Sequence, residues 1–138
     1  MIELLISMAI LALLLAILVP NFLNQKANAD LKLAAQNFAE DLKYAREIGI
    51  STGSAVIDFT KYPAGSSSGY EIQNSEGALL KAAGLQNITI TTPSGITSVT
   101  FNSKGSADNG GDFTLTASKT GKNYVINLTL LGGRVKLR

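Results

Sequence analysis

The sequence of 138 residues contains no cysteine and no histidine. It can therefore form no disulfide, no thiolate site and no imidazole ligand set. It also has no Ser-His or Cys-His pair, no P-loop and no GxGxxG motif, and its carboxylates are scattered along the chain. We therefore expect no enzyme activity, no cofactor and no metal site.

Neither sign of charge is in large excess, since the sequence has 12 Lys and Arg and 10 Asp and Glu, for a net charge of +2. This balance gives no general case for a nucleic-acid-binding protein. One stretch is biased, however, because toward the C-terminus six basic residues face only Asp108 and Asp112. The six are Lys104, Lys119, Lys122, Arg134, Lys136 and Arg138. They could contact a phosphate backbone, but a solvated strand face is the favoured interpretation.

The sequence is rich instead in one long apolar run at its N-terminus. Residues 4–19 contain a single polar residue, Ser7, and consist mainly of Leu, Ile and Ala, which favour a helix over a strand. As a helix, residues 1–19 would be about 28 Å long, close to the ~30 Å hydrocarbon core of a bilayer. We predict that this helix can span a membrane. A secretory signal peptide is the alternative, but its apolar part would be shorter and would end at a small-residue cleavage site.

Two residues distinguish this run from a plain membrane anchor, namely Glu3 within it and Pro20 at its end. A lone carboxylate in a membrane costs on the order of 3 kcal/mol, so Glu3 needs a cationic partner or a task. No basic residue precedes Pro20, and an N-terminal amine of a neighbouring copy could serve as the partner. Pro20 removes one helical hydrogen bond, so we expect a kink or a local loss of helix around residues 15–19.

Beyond Pro20 the helix is predicted to continue, because apolar residues recur at steps of three and four. This stripe consists of Leu31, Ala35, Phe38, Leu42, Ala45 and Ile48. The residues expected to face solvent or neighbouring subunits are Lys32, Gln36, Glu40, Lys43, Arg46 and Glu47. Gly49 or Gly53 is expected to end the helix.

The remaining sequence alternates β-branched or aromatic residues with polar ones in short runs, which predicts half-buried antiparallel strands. The predicted strands are residues 54–59, 70–73, 87–92, 97–102, 113–117 and 124–130, and Gly132-Gly133 predicts a final hairpin into residues 134–138. Residues 74–86 fit either a short helical turn or an irregular connection. The fold class is α+β, with a long N-terminal helix whose second half packs on an antiparallel sheet. We divide the chain into residues 1–25, 26–53 and 54–138.

Two further motifs have simpler explanations. Residues 108–112 could present oxygen atoms to Ca²⁺, but they lack the full EF-hand ligand set and fit a turn better. The sequons at Asn87 and Asn127 match the N-glycosylation pattern, but both lie in predicted strands, where they are explained as polar strand positions.

The N-terminal pattern resembles that of mature type IV pilins and type II secretion pseudopilins. In those proteins a Pro follows the N-terminal acid by seventeen positions, as Pro20 follows Glu3 here. The resemblance implies that a Phe and a small residue precede Met1, together with a basic leader removed by a prepilin peptidase. It also implies that the apolar helix carries subunit assembly, through Glu3, Leu4, Leu5, Leu11, Leu14 and Pro20.

Motifs farther along the chain are similar to those of the GspH/FimT group of pseudopilins, namely Ala45-Arg46, Phe101 with Gly105, and Gly133-Arg134. The implied protein is a structural pilin held in the bacterial inner membrane. Pilus assembly machinery would then build it into an extracellular filament of many copies. The alternative is a minor pilin or pseudopilin of a type II secretion or DNA-uptake apparatus. DNA binding by this alternative is not favoured, and it would use Lys119, Lys122, Arg134, Lys136 and Arg138.

Overall fold

The computed structural model describes all 138 residues, except for the side chain of Leu18. Its first element is one helix, α1, which spans Ile2–Thr52 and contains Pro20. The helix ends at Gly53, whose φ of 95° lies in the left-handed region that glycine adopts easily, and whose N–H donates to the carbonyl of Gly49. The predicted end of the helix is therefore confirmed at Gly53.

The helix continues through Pro20, as predicted. Of the two alternatives expected around residues 15–19, a kink or a local loss of helix, the loss of helix does not occur in the single subunit. The reason is that proline has no N–H and so deletes only one bond of the ladder, the one to the carbonyl of Ala16. The surrounding residues are Leu, Ile, Ala and Val, and the remaining bonds hold them in the helix.

The two halves of α1 have opposite environments. Among residues 1–25, every side chain that the structure describes is exposed. From Leu31 onward one side of the helix is buried against strands, and the predicted stripe is confirmed, except that Ile48 is only half-buried. Ala34 and Ala39 widen the buried stripe, and the small alanine side chains let the helix lie close to the sheets.

Eight strands follow the helix. They are β1 (Ser54–Asp58), β2 (Ser68–Asn74), β3 (Leu79–Leu85), β4 (Ile88–Thr91), β5 (Ser98–Asn102), β6 (Gly111–Ala117), β7 (Asn123–Leu128) and β8 (Val135–Leu137). A short 3₁₀ turn at Pro93–Gly95 connects β4 to β5. The ambiguous segment at residues 74–86 thus contains a strand, β3, in place of a helical turn or an irregular connection.

The strands form two four-stranded antiparallel sheets, and not the single sheet that we expected. The first has the order β3-β2-β1-β5 and the second the order β4-β6-β7-β8. The final hairpin is confirmed, because β8 pairs with β7 and the turn between them contains Gly132 and Gly133. Both sheets turn their apolar faces toward the second half of α1.

The core lies between α1 and the two sheets. Phe38 stands at its centre, with its ring 5.1 Å from that of Tyr70 and 5.8 Å from that of Phe113, in the tilted and edge-to-face arrangements that aromatic pairs prefer. Tyr70 belongs to the first sheet and Phe113 to the second. One helix side chain therefore joins both sheets, and residues 31–128 share one continuous core.

Candidate assembly surface

The first candidate site is the apolar surface of α1 that no other part of the chain covers. Leu4, Leu5, Leu11 and Leu14 are between 55% and 67% exposed. Other large apolar side chains, from Met1 to Leu23, are exposed around the whole circumference of the helix. A helix that is apolar all round needs lipid or protein neighbours, since water is a poor solvent for it. By length and composition, this helix is able to cross a membrane.

Glu3 is the one charged side chain in the first turn of this surface. It forms no ion pair with any residue whose side chain the structure describes. Its backbone carbonyl accepts a hydrogen bond of 2.8 Å from the Ser7 hydroxyl, while its carboxylate is exposed.

A buried carboxylate, Asp41, ties α1 to the first sheet. Asp41 is only 4% exposed. Its Oδ2 accepts a 2.7 Å hydrogen bond from the Tyr70 hydroxyl, and its Oδ1 lies 2.5 Å from Nζ of Lys81. Burial, reinforced by the charge of Asp41 and by its hydrogen bond, raises the pKa of Tyr70 above its ordinary value. We did not predict this cluster, because nothing in the sequence around Asp41 indicates which strands will face it.

The motif residues shared with the GspH/FimT group meet at the C-terminal end of α1. Arg46 donates a 3.2 Å hydrogen bond from Nε to the carbonyl of Gly105. Arg46 is therefore half-buried, which corrects the expectation that it faces solvent or a neighbouring subunit. At Gly133, a methyl group would lie 2.5 Å from the Gly105 carbonyl, and at Gly49 it would lie 2.9 Å from Cβ of Phe101. Gly49 and Gly133 thus have no room for a side chain, because α1, the loop at Gly105 and the final hairpin approach one another closely.

The basic residues of the final hairpin lie on one face of β8 and of the two residues that flank it. Lys136 is opposite Asn127 in β7, and the backbone of Arg134 and Arg138 bonds to Thr129 and Val125. Successive side chains of a strand alternate between faces, so Arg134, Lys136 and Arg138 share the solvent face. All three are exposed.

Lys119 and Lys122 lie in the turn between β6 and β7. Lys122 precedes Val125, the partner of Arg138, by three positions, or about 10 Å along a strand. Lys119 instead lines a groove against α1. The neighbouring Thr120 bonds to Asn28, whereas the hairpin turn at Gly133 packs on Arg46, about 27 Å away along the helix at 1.5 Å per residue. The other end of the hairpin, Arg138, pairs with Val125.

The structure also places the two weaker motifs. Asp108 accepts a 2.7 Å hydrogen bond from the N–H of Thr100, and Asp112 accepts one of 2.7 Å from the Asn127 amide. The two carboxylates thus bond to different strands. Asn87 lies in the turn before β4, and not in a strand as predicted, whereas Asn127 lies inside β7.

The fold and this surface define the class of protein. A long helix with an exposed apolar first half, packed by its second half on antiparallel sheets, is the pilin fold. The profile of the family described as type II transport protein GspH matches residues 34–132, and the chain belongs to this family.

Two crystal structures of the type IV minor pilin FimU from Pseudomonas aeruginosa share the fold. The first is 24% identical, with a TM-score of 0.62, and the match covers 78% of this chain and 92% of FimU. The second is 22% identical, with the same TM-score, over 80% of this chain and 90% of FimU. A search of curated protein sequences gave no match.

Proposed function

We propose that this protein is a minor pilin or pseudopilin that is held in the bacterial inner membrane by residues 1–25 and then assembles through this segment into an extracellular, pilus-like filament. The observation that carries the proposal is the exposed apolar surface of α1, with Glu3 as its only acid. Lipid covers that surface before assembly, and the same segments of neighbouring copies cover it afterwards. The GspH family and the likeness to a minor pilin support a minor component over a major one.

Glu3 sets the position of each copy along the filament. Its carboxylate pairs with the N-terminal amine of an adjacent copy, because no cation among the described side chains forms an ion pair with it. A copy shifted along the filament would leave the Glu3 carboxylate buried among leucines without its partner. Leaving one charge of a buried pair unpaired costs about 3–5 kcal/mol, so the pair favours one position. Two partners are required. Prepilin peptidase exposes the N-terminal amine, and the pilus assembly machinery moves the subunit from the membrane into the filament.

The test compares Glu3→Ala with Glu40→Ala in cells that process the precursor normally. Glu40 is an exposed acid on the second half of the same helix, so its removal controls for loss of charge. We expect both variants to be retained in the inner membrane. Filaments sheared from cells should contain at least about tenfold less of the Glu3 variant, since a lost pair of this kind exceeds 1.4 kcal/mol. Equal assembly of both variants would contradict the proposed role of Glu3.

A further inference from the structure

A groove lies between the start of the packed half of α1 and the nearest end of the second sheet. Its volume is about 460 Å³. The helix contributes Leu23, Lys26 and Asp30, and the sheet side contributes Ile88, Ala117 and Lys119. The lining thus combines apolar and charged side chains.

Three charged side chains line this groove, and none of them has a charged partner among the side chains that the structure describes. Lys26, Asp30 and Lys119 form no ion pair, although the structure contains two elsewhere. The i, i+4 spacing of Lys26 and Asp30 would permit a pair along the helix. Two cations and one anion are therefore available to a ligand.

The groove lies at the level of lipid headgroups when the apolar half of α1 spans a bilayer. Lys26 is seven residues beyond Val19, which corresponds to about 10 Å along the helix. The two headgroup layers extend the bilayer from ~30 Å to about 40–45 Å, which is about 5–8 Å on each side. The distance from the hydrocarbon boundary to the groove is therefore roughly one headgroup layer plus the reach of a lysine side chain. The basic side chains of the groove therefore lie at the depth of the anionic atoms of the headgroups.

We infer that the groove binds the headgroup of a phospholipid that carries both a phosphate and a primary ammonium. Lys26 and Lys119 hold the phosphate, and Asp30 accepts hydrogen bonds from the ammonium. Phosphatidylethanolamine has both groups. The ammonium of phosphatidylcholine has no N–H to donate, and phosphatidylglycerol has no ammonium. Such binding would hold the globular part against the membrane surface before assembly, so the inference rests on the proposed membrane anchoring.

The test uses the full chain purified in detergent and mixed with equal amounts of the three lipids. Native mass spectrometry then measures how much of each lipid remains bound. We expect about fivefold more phosphatidylethanolamine than phosphatidylcholine, the preference that one charged contact at a membrane surface gives. We also expect more phosphatidylethanolamine than phosphatidylglycerol, which has no ammonium for Asp30 to bind. Asp30→Asn should abolish this second preference, and the double variant Lys26→Gln, Lys119→Gln should reduce binding of both phosphatidylethanolamine and phosphatidylglycerol.

Lys104→Gln is the control, because Lys104 is exposed but lies beside Gly105 at the other end of α1. Equal retention of all lipids, a preference for phosphatidylglycerol that Asp30→Asn leaves unchanged, or an equal loss with Lys104→Gln would each overturn the inference. Flotation with vesicles separates this from the proposed function. A chain that floats with every vesicle but shows no headgroup preference refutes only the groove, whereas a chain that floats with none refutes the membrane anchoring.

Discussion

The Tyr70 hydroxyl donates a 2.7 Å hydrogen bond to Oδ2 of Asp41, and this bond joins the middle of the helix to the first sheet. Lys81 completes the cluster from the edge strand β3. The three residues come from sequence positions far apart, so the bond forms only when α1, β2 and β3 are docked. Substitutions that remove this bond should therefore weaken the docking of α1 on the first sheet.

Asp41→Ala should destabilise the folded domain by about 2–3 kcal/mol, because it leaves the buried Tyr70 hydroxyl without an acceptor and removes a charged hydrogen bond. Asp41→Asn keeps an acceptor and should cost less. Lys81→Gln keeps a hydrogen-bond donor near Asp41 and should cost less than Asp41→Ala, since the Lys81 side chain is 48% exposed and solvent screens its charge. The measurement is urea unfolding of a truncated domain that begins at Asn28 and retains the whole buried core. A loss at Asp41 no larger than that of the exposed control Glu40→Ala would contradict this account.

The same cluster predicts a loss of stability at alkaline pH. Because the pKa of Tyr70 is raised in the folded state, its contribution is complete below the unfolded value of about 10 and is lost as pH rises above it. The unfolded chain then releases a proton that the native state retains. This one group should lower the free energy of unfolding by up to about 1.4 kcal/mol per pH unit.

The comparison that isolates Tyr70 is Tyr70→Phe against wild type, with unfolding measured from pH 8 to 11. The Phe variant should be less stable at pH 8 but should lose stability less steeply above pH 10. Tyr62→Phe, on an exposed loop, is the matched control and should follow the wild-type profile. Parallel curves for all three proteins would show that Tyr70 is not the group responsible.

The helix could be predicted from the sequence, whereas the organisation of the strands could not. The buried stripe from Leu31 to Ala45 recurs at helical spacing over many turns, so a local pattern was sufficient. β3 has the sequence LLKAAGL, which lacks alternation and is rich in residues that are poor strand formers. It is a strand because β2 pairs with it and because Lys81 reaches Asp41.

The surface of α1 was predictable for a related reason, since an apolar run with Glu3 and Pro20 is local information. The contacts of Asp41 and Arg46 were not predictable, because each depends on a residue more than 25 positions away. The number of sheets depends in the same way on long-range pairing. Alternation identifies a strand but not its neighbour, and two sheets satisfy the same strand pattern as one.

The unbroken helix at Pro20 leads to a prediction about the assembled state. In a bilayer the helix must stay intact to satisfy its backbone groups, but protein neighbours in a filament can supply other partners. We expect the helical ladder to be interrupted within residues 13–22 in the filament, which would lengthen each copy as it leaves the membrane. Pro20→Ala restores the missing N–H and should shorten or remove the interruption. The measurement is electron cryomicroscopy of the filament, and a continuous helix there in the wild type would contradict the prediction.

The last prediction concerns the basic face formed by Arg134, Lys136 and Arg138. Three exposed cations on one strand are the geometry that phosphate contacts need, but packing of Val135 against the core would place them there equally well. The positive charge of this face is also reduced by a nearby acid, because Asn127 lies beside Lys136 and is bonded to Asp112. Lys119 lines the groove against α1. We therefore expect no detectable binding of duplex DNA at roughly physiological salt.

The measurement is a titration of the truncated domain with duplex DNA at several salt concentrations. Binding through phosphates would weaken steeply with salt, with a slope of log K against log salt of about −0.9 per phosphate contacted. It would also weaken in Arg134→Ala but not in Lys104→Ala, which removes an exposed cation outside β8. That combination would assign the face to DNA uptake and contradict our expectation. A flat, undetectable response leaves the three cations to protect the short edge strand β8 from pairing with other chains, a role that charged side chains serve at exposed sheet edges.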